Sequence, residues 1–261
     1  MHCRFHSYRL VCIIADMSPP PGPTEPPGRA VVVYDHADRG NSLDQPRLES
    51  LVDALEQAAG QPGCRVIHLE MAGPHFCGGW DTRTFSGMAG AEPATIAADL
   101  RASDETLDRI RRLPVPVVAG VRGRVIGFGV GLLSAIHLPI AATGARASLP
   151  EATFGFAPAG VGHLVATTLP RAHAYALLTA GSTASAEDLH RWGLVSQVVP
   201  DGELDSAVAA TVAGLAALPE GASRAVTAVI ESSRSTGRPD GAYQISARSI
   251  AAARPIGGDP R

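Results

Sequence analysis

Two glycine-rich bends, each set between an apolar strand-like run and a helix-like run, constrain this chain more than any other feature. The first is His75-Phe76-Cys77-Gly78-Gly79-Trp80-Asp81; the second is Gly123-Arg124-Val125-Ile126-Gly127-Phe128-Gly129-Val130-Gly131. Glycine reaches backbone angles closed to other residues, so a strand can break there and turn at once into a helix. The first N–H groups of such a helix have no partner inside it and lie at the positive end of its dipole. Two such ends aimed at one point make a site for negative charge developing on a reacting oxygen.

The patterning around the bends alternates strand and helix, which places the chain in the α/β class. Strands are expected at Ala30–Tyr34, Val66–Leu69, Val115–Val121, Leu138–Ala142 and Val195–Val199. Helical apolar spacing appears at Leu48, Leu51, Val52 and Leu55, and again at Ile96, Leu100, Leu107 and Ile110, stopping before Pro114. A short apolar helix is expected at Gly131–Ile136, and Gly87–Pro93 reads as a loop. Three regions follow: a Pro-rich extension outside the fold (1–28), a core (29–200) and a C-terminal helical region (201–261), with helix breaks near Pro219 and Gly237. The last region is Ala-rich and apolar, a composition that suits packing on another subunit or on its own domain.

Composition removes several kinds of chemistry. With 261 residues and 45% hydrophobic content there is enough for one substantial core. A net charge of −3 gives no basic footprint for nucleic acid. All 22 Lys+Arg residues are arginine, which excludes a Schiff-base lysine and a P-loop lysine. The four cysteines are scattered without a C-x-x-C, so neither a zinc knuckle nor a redox pair is expected; free thiols suit a reducing, cytoplasmic location. No run of 18 apolar residues predicts a membrane span. Leu10–Ala15 behind Arg4 and Arg9 mimics a signal peptide but is too short for one. There is no H-E-x-x-H and no expected metal site, and no G-x-S-x-G elbow. Gly127, Gly129 and Gly131, with Glu151 some way downstream, imitate a dinucleotide fingerprint, but the spacing is G-x-G-x-G; no resident cofactor is expected.

Two side chains then stand out. Glu151 lies in Ser148–Pro158, otherwise almost uncharged. Its carboxylate is either partly desolvated, with a pKa raised into the acid–base range, or a helix-start or loop acid open to water. His163 follows Gly160-Val161-Gly162 and either lines a pocket or is simply hydrogen-bonded at a helix start.

Taken in order, these residues resemble the crotonase (enoyl-CoA hydratase/isomerase) superfamily. Phe76-Cys77-Gly78-Gly79-Trp80-Asp81 resembles its F-C-A-G-A-D signature, and Gly123–Gly131 its N-G-x-x-x-G-G-G segment. Leu149-Pro150-Glu151 with Gly155-Phe156-Ala157-Pro158 resembles its x-P-E-x-x-x-G-x-x-P element. Ala184–Glu187, Trp192–Val195 and Val198–Pro200 resemble its S-A-E-E-A, W-G-L-V and V-V-P stretches, and Asn41-Ser42-Leu43 its early N-A-L. The resemblance implies a spiral of ββα turns with a C-terminal helical oligomerisation region, assembled as a trimer or hexamer. It implies an acyl thioester substrate, on coenzyme A or an acyl carrier protein, with coenzyme A as part of the substrate. By motif position the Trp80 and Phe128 N–H groups would hold the thioester oxygen as it becomes an enolate, with Glu151 moving the proton. Phe76, Gly78, Gly79, Asp81, Gly127, Gly131, Pro158 and His163 would border the substrate.

Departures from the family pattern narrow the reaction. Hydratases of the family use two glutamates; the first falls at Gly131 and the second at Glu151, while the extra acid of dienoyl isomerases would fall near Ala159. One carboxylate can carry a proton between carbons, so double-bond isomerisation is favoured over hydration. The alternatives are a decarboxylase of a malonyl-type thioester and a non-catalytic acyl-binding member. Trp80 and Phe128 are bulky where the family has Ala and Gly. The position of a CoA-phosphate lysine is Thr227; Arg224 or Arg83 are the candidate replacements.

Overall fold

A computed structural model describes residues 11–13, 28–85, 91–236 and 240–252. Six strands form one parallel sheet: β1 (Val11–Ile13), β2 (Arg29–Tyr34), β3 (Val66–Met71), β4 (Val117–Val121), β6 (Leu138–Ala142) and β9 (Gln197–Val199), in the order β1-β2-β3-β4-β6-β9. Three short strands form a second sheet, β5 (Arg124–Ile126), β7 (Arg146–Ser148) and β8 (Ala184–Ser185), with β5 and β7 parallel and β8 antiparallel. The helices are α1 (Gln45–Ala59), α2 (Thr82–Phe85), α3 (Pro93–Arg111), α4 (Phe128–Ala135), α5 (Gly160–Thr168), α6 (Arg171–Leu178), α7 (Ala186–Arg191), α8 (Leu204–Ala216), α9 (Ala222–Thr236) and α10 (Asp240–Ala252).

The sheet is covered on both faces, as parallel strands require. Val32, Tyr34, Ile67 and Leu69 join α1 through Leu48, Leu51 and Leu55 in the main core, which α3 and α4 extend through Leu107, Ile110, Leu132 and Leu133. On the opposite face Val66, Val118 and Ile140 pack with Leu204, Val208 and Val212 of α8. Asp44 caps α1 by accepting the Arg47 N–H at 2.9 Å, and Ser185 and Asp188 form a capping box on α7.

The main strands fall where apolar patterning puts them. Pro93 begins α3, a first-turn position that proline favours, and does not end the expected loop; residues 86–90 of that loop lie outside the described residues. The apolar helix expected from Gly131 begins three residues earlier, at Phe128, because Gly127 itself makes the turn. Strands β5, β7 and β8 were not expected; two or three residues are too few to show a period. Of the extension up to residue 28, Val11–Ile13 pairs in parallel with Val31–Val33, and residues 1–10 and 14–27 lie outside the described residues.

Candidate active site

The first bend is fastened from below by Asn41, a fully buried residue in the left-handed region (φ 56°). Its Nδ2 donates to the carbonyls of Ala72 and His75 at 2.7 and 2.8 Å, and its Oδ1 accepts the His36 N–H. Gly78 N–H donates to Gly40 O at 2.7 Å. Leu43 N–H then donates to Gly79 O at 2.8 Å, and Asp81 N–H to Leu43 O at 2.6 Å. These bonds bracket Trp80; because N–H groups alternate sides along extended chain, its own N–H faces away from Leu43.

The side it faces holds the second bend. Cys77 N–H donates to Arg124 O and Ile126 N–H to Cys77 O, at 3.1 and 2.9 Å, so β5 runs alongside the first bend. Gly79 (φ 90°) passes so close that a Cβ on it would lie 2.5 Å from Ile126 O and 3.7 Å from Phe128 N. Gly127 (φ 53°, ψ −119°) ends β5 and starts α4, held by its N–H on Ser148 O at 2.9 Å. Phe128 is thus the first residue of α4, where the N–H has no acceptor within the helix. Among the described residues neither the Trp80 nor the Phe128 N–H has an acceptor. The two side chains meet edge to face, with ring centroids 4.9 Å apart.

Glu151 opens a single 3-10 turn, Glu151–Phe154. Its Oε1 lies 2.7 Å from where a Cβ on Gly127 would stand, so the carboxylate occupies the space that glycine leaves beside Phe128. Its Oε2 is buried without a hydrogen-bond partner among the described residues. Burial pushes the carboxyl above the ordinary carboxylate value, only partly opposed by a backbone hydrogen bond. Of the two readings left open for Glu151, the carboxylate is partly withdrawn from water, although the residue also starts a helical turn.

The other expected residues divide. Phe76 is wholly buried in the main core, so it anchors the bend and its side chain is kept from any substrate. Asp81 is buried under Arg83, Arg47 and Arg39, with Arg47 Nη1 at 3.5 Å and Arg39 Nη1 at 3.6 Å. Arg83 and Arg39 leave part of their guanidinium surface in water, forming a basic rim beside the first bend. Gly131 offers no opening: a Cβ there would meet Val161 Cγ2 at 2.9 Å and Leu107 Cδ1 at 3.2 Å. Pro158 packs against Gly162, and His163 is exposed on α5. Arg224 is turned away from the bends, donating to Ala59 O at the end of α1. Phe154 and Phe156, just after Glu151, stack on each other and are exposed. Among the described residues no cluster of His, Cys, Asp and Glu could hold a metal, and no helix is long and apolar enough to cross a membrane.

The arrangement can receive a carbonyl oxygen on two backbone donors with a carboxylate beside it. Known proteins resemble the chain in sequence and fold. A Bacillus subtilis protein named "Probable enoyl-CoA hydratase" is 32% identical over 62% of this chain and 62% of its own, so the chain matches less than two thirds of that relative's length. The 1,2-epoxyphenylacetyl-CoA isomerase of Escherichia coli is 30% identical over 68% of each chain. The crystal structure of an enoyl-CoA hydratase from Polaromonas superposes with a TM-score of 0.75 at 26% identity, covering 87% of this chain and 89% of that one. The family model for enoyl-CoA hydratase/isomerase matches residues 28–248, and the chain belongs to that family, within the crotonase superfamily.

Proposed function

We propose that the protein is an enzyme that forms the enolate of an acyl-CoA thioester and moves a double bond along the acyl chain. The observation that carries this reading is the position of Glu151, whose carboxylate fills the space at Gly127 next to the acceptor-less N–H groups of Phe128 and Trp80. A thioester oxygen on those two donors gains charge as the α-proton leaves, and fixed donors favour that charge strongly; losing one such donor costs ~3–4 kcal/mol in comparable sites. Burial keeps Glu151 closer in basicity to a carbon acid than a solvated carboxylate would be.

Isomerisation is favoured over hydration because the Gly131 position carries no side chain to hold a water, and Val161 and Leu107 fill the space that one would need. The basic rim of Arg83 and Arg39 supports a place for the phosphates of coenzyme A, which arrives as part of the substrate. Exposed apolar residues of α9 and α10 support assembly as a trimer or hexamer. The test is turnover of a panel of enoyl-CoA esters. Glu151→Gln is expected to lower isomerisation by about 10²–10⁴-fold, the range for a lost acid–base group, with the fold intact by circular dichroism. Near-wild-type turnover would reject the role of Glu151.

A further inference from the structure

Asp104 is a half-buried acid on α3 that nothing above uses. Two contacts set its level along the site. Arg111 Nη2 donates to Ser134 Oγ at 3.1 Å, and Leu107 Cδ1 lies 3.2 Å from where a Gly131 side chain would begin. Helices α3 and α4 therefore run in the same direction, with residues 111 and 107 level with 134 and 131. One more turn back along both helices sets Asp104 level with Gly127 and Phe128, the end of α4 that Glu151 touches. From the other side, a side chain on Gly160 would fall on the Asp104 carboxylate. The glycine that opens α5 leaves room for this acid, while the space at Gly131 is given to Leu107 and Val161.

We propose that Asp104 is a second catalytic carboxyl of this site, supplying a proton to the end of the enolate system that Glu151 does not serve. This rests on the reading of the site as an enoyl-thioester isomerase. In the forward step Glu151 takes the α-proton of a β,γ-enoyl thioester, and the C–H electron pair passes into the carbonyl, whose oxygen lies on the Trp80 and Phe128 donors. As that pair returns, the γ-carbon takes the proton from the Asp104 O–H, and the double bond comes to rest between the α- and β-carbons. Glu151 is left protonated and Asp104 ionised; exchange with water resets both. Burial raises the Asp104 carboxyl above its ordinary value, with Arg111 and His163 drawing it down and Asp108 adding to the rise, which favours the protonated form this step needs.

The label tests for direct transfer by a single carrier. A 3-enoyl-CoA deuterated at the α-carbon is isomerised in ordinary water. Two acids give a product whose new γ-hydrogen comes wholly from solvent; deuterium at the γ-carbon overturns the proposal. Asp104→Asn is expected to cut isomerisation at least 100-fold while loss of α-deuterium to solvent continues at the wild-type rate, and Asp104→Glu to recover part of the turnover. Isomerisation within threefold of wild type, or loss of α-exchange together with isomerisation in a folded variant, overturns it. If Asp104→Asn does not fold, Asp104→Glu decides: slower isomerisation with α-exchange at the wild-type rate supports the proposal, and equal loss of both overturns it. Failure of the underlying reading looks different: the wild type then neither isomerises nor exchanges the α-deuterium, and Glu151→Gln changes nothing.

Discussion

Glu151 is held where its charge is costly to the folded chain. The unfolded carboxyl ionises near its ordinary value of 4.5 while the folded one keeps its proton to higher pH. In that window the native state binds more protons, so stability falls as pH rises through it. Glu151→Gln has no such charge. Its thermal midpoint should exceed that of the wild type at neutral pH, and the two should converge below the ordinary carboxylate value. A variant less stable than the wild type at pH 7 would contradict a desolvated Glu151. At Gly131 the same reasoning concerns volume. A glutamate there collides with Val161 and Leu107, so Gly131→Glu is expected to destabilise by about 1–3 kcal/mol in denaturant melts, as overpacking does, and to bring no hydratase activity. Measurable hydration would show that the wall yields.

Between elements, His137 clamps the junction of α3 and β4. Its Nδ1 accepts the Val117 N–H at 3.1 Å, which puts the ring proton on Nε2, 3.3 Å from Arg111 O. Burial lowers its pKa, with Arg111 O and Glu231 pulling the other way. Below 6.5 the unfolded ring takes a proton that the folded one refuses, so stability should fall as pH drops from 7 toward 5. His137→Asn, which keeps an acceptor and cannot be charged, should flatten that slope in thermal melts; an unchanged slope would assign it to other groups. This clamp marks what the sequence could and could not convey. The five expected strands and the helices with an apolar stripe were legible because each carries its own period. Gly127, Phe128 and Glu151 were legible because glycine spacing and an isolated charge are local signals. The short strands β5, β7 and β8 were not, nor was the filling of Gly131, which depends on Leu107 and Val161 arriving from other elements. Asp104 reads as one more polar position on an amphipathic helix until the register of α3 against α4 is known.

Across the whole molecule, the helical region ends in a pair with faces that the other described residues do not cover. Helix α10 packs on α9, and Arg224 ties the start of α9 to α1 through Ala59 O. Val226 and Ile230, one turn apart on α9, and Tyr243 and Ile250, two turns apart on α10, are each at least 50% exposed. Large apolar groups repeated at helical spacing on a surface mark a place where another molecule sits. A second and third copy of the chain is the occupant proposed above, since each copy brings the same face. Sedimentation should then give three times the mass of one chain, or six. Replacing Ile230 and Tyr243 together by Asp should yield single chains. The main core lies under α1, α3 and α4, so those chains should keep native circular dichroism and lose stability only through lost association, visible as a midpoint that no longer rises with concentration. A wild type that sediments as one chain would leave this face to a different partner. A double variant that still forms trimers would move the interface elsewhere on the molecule.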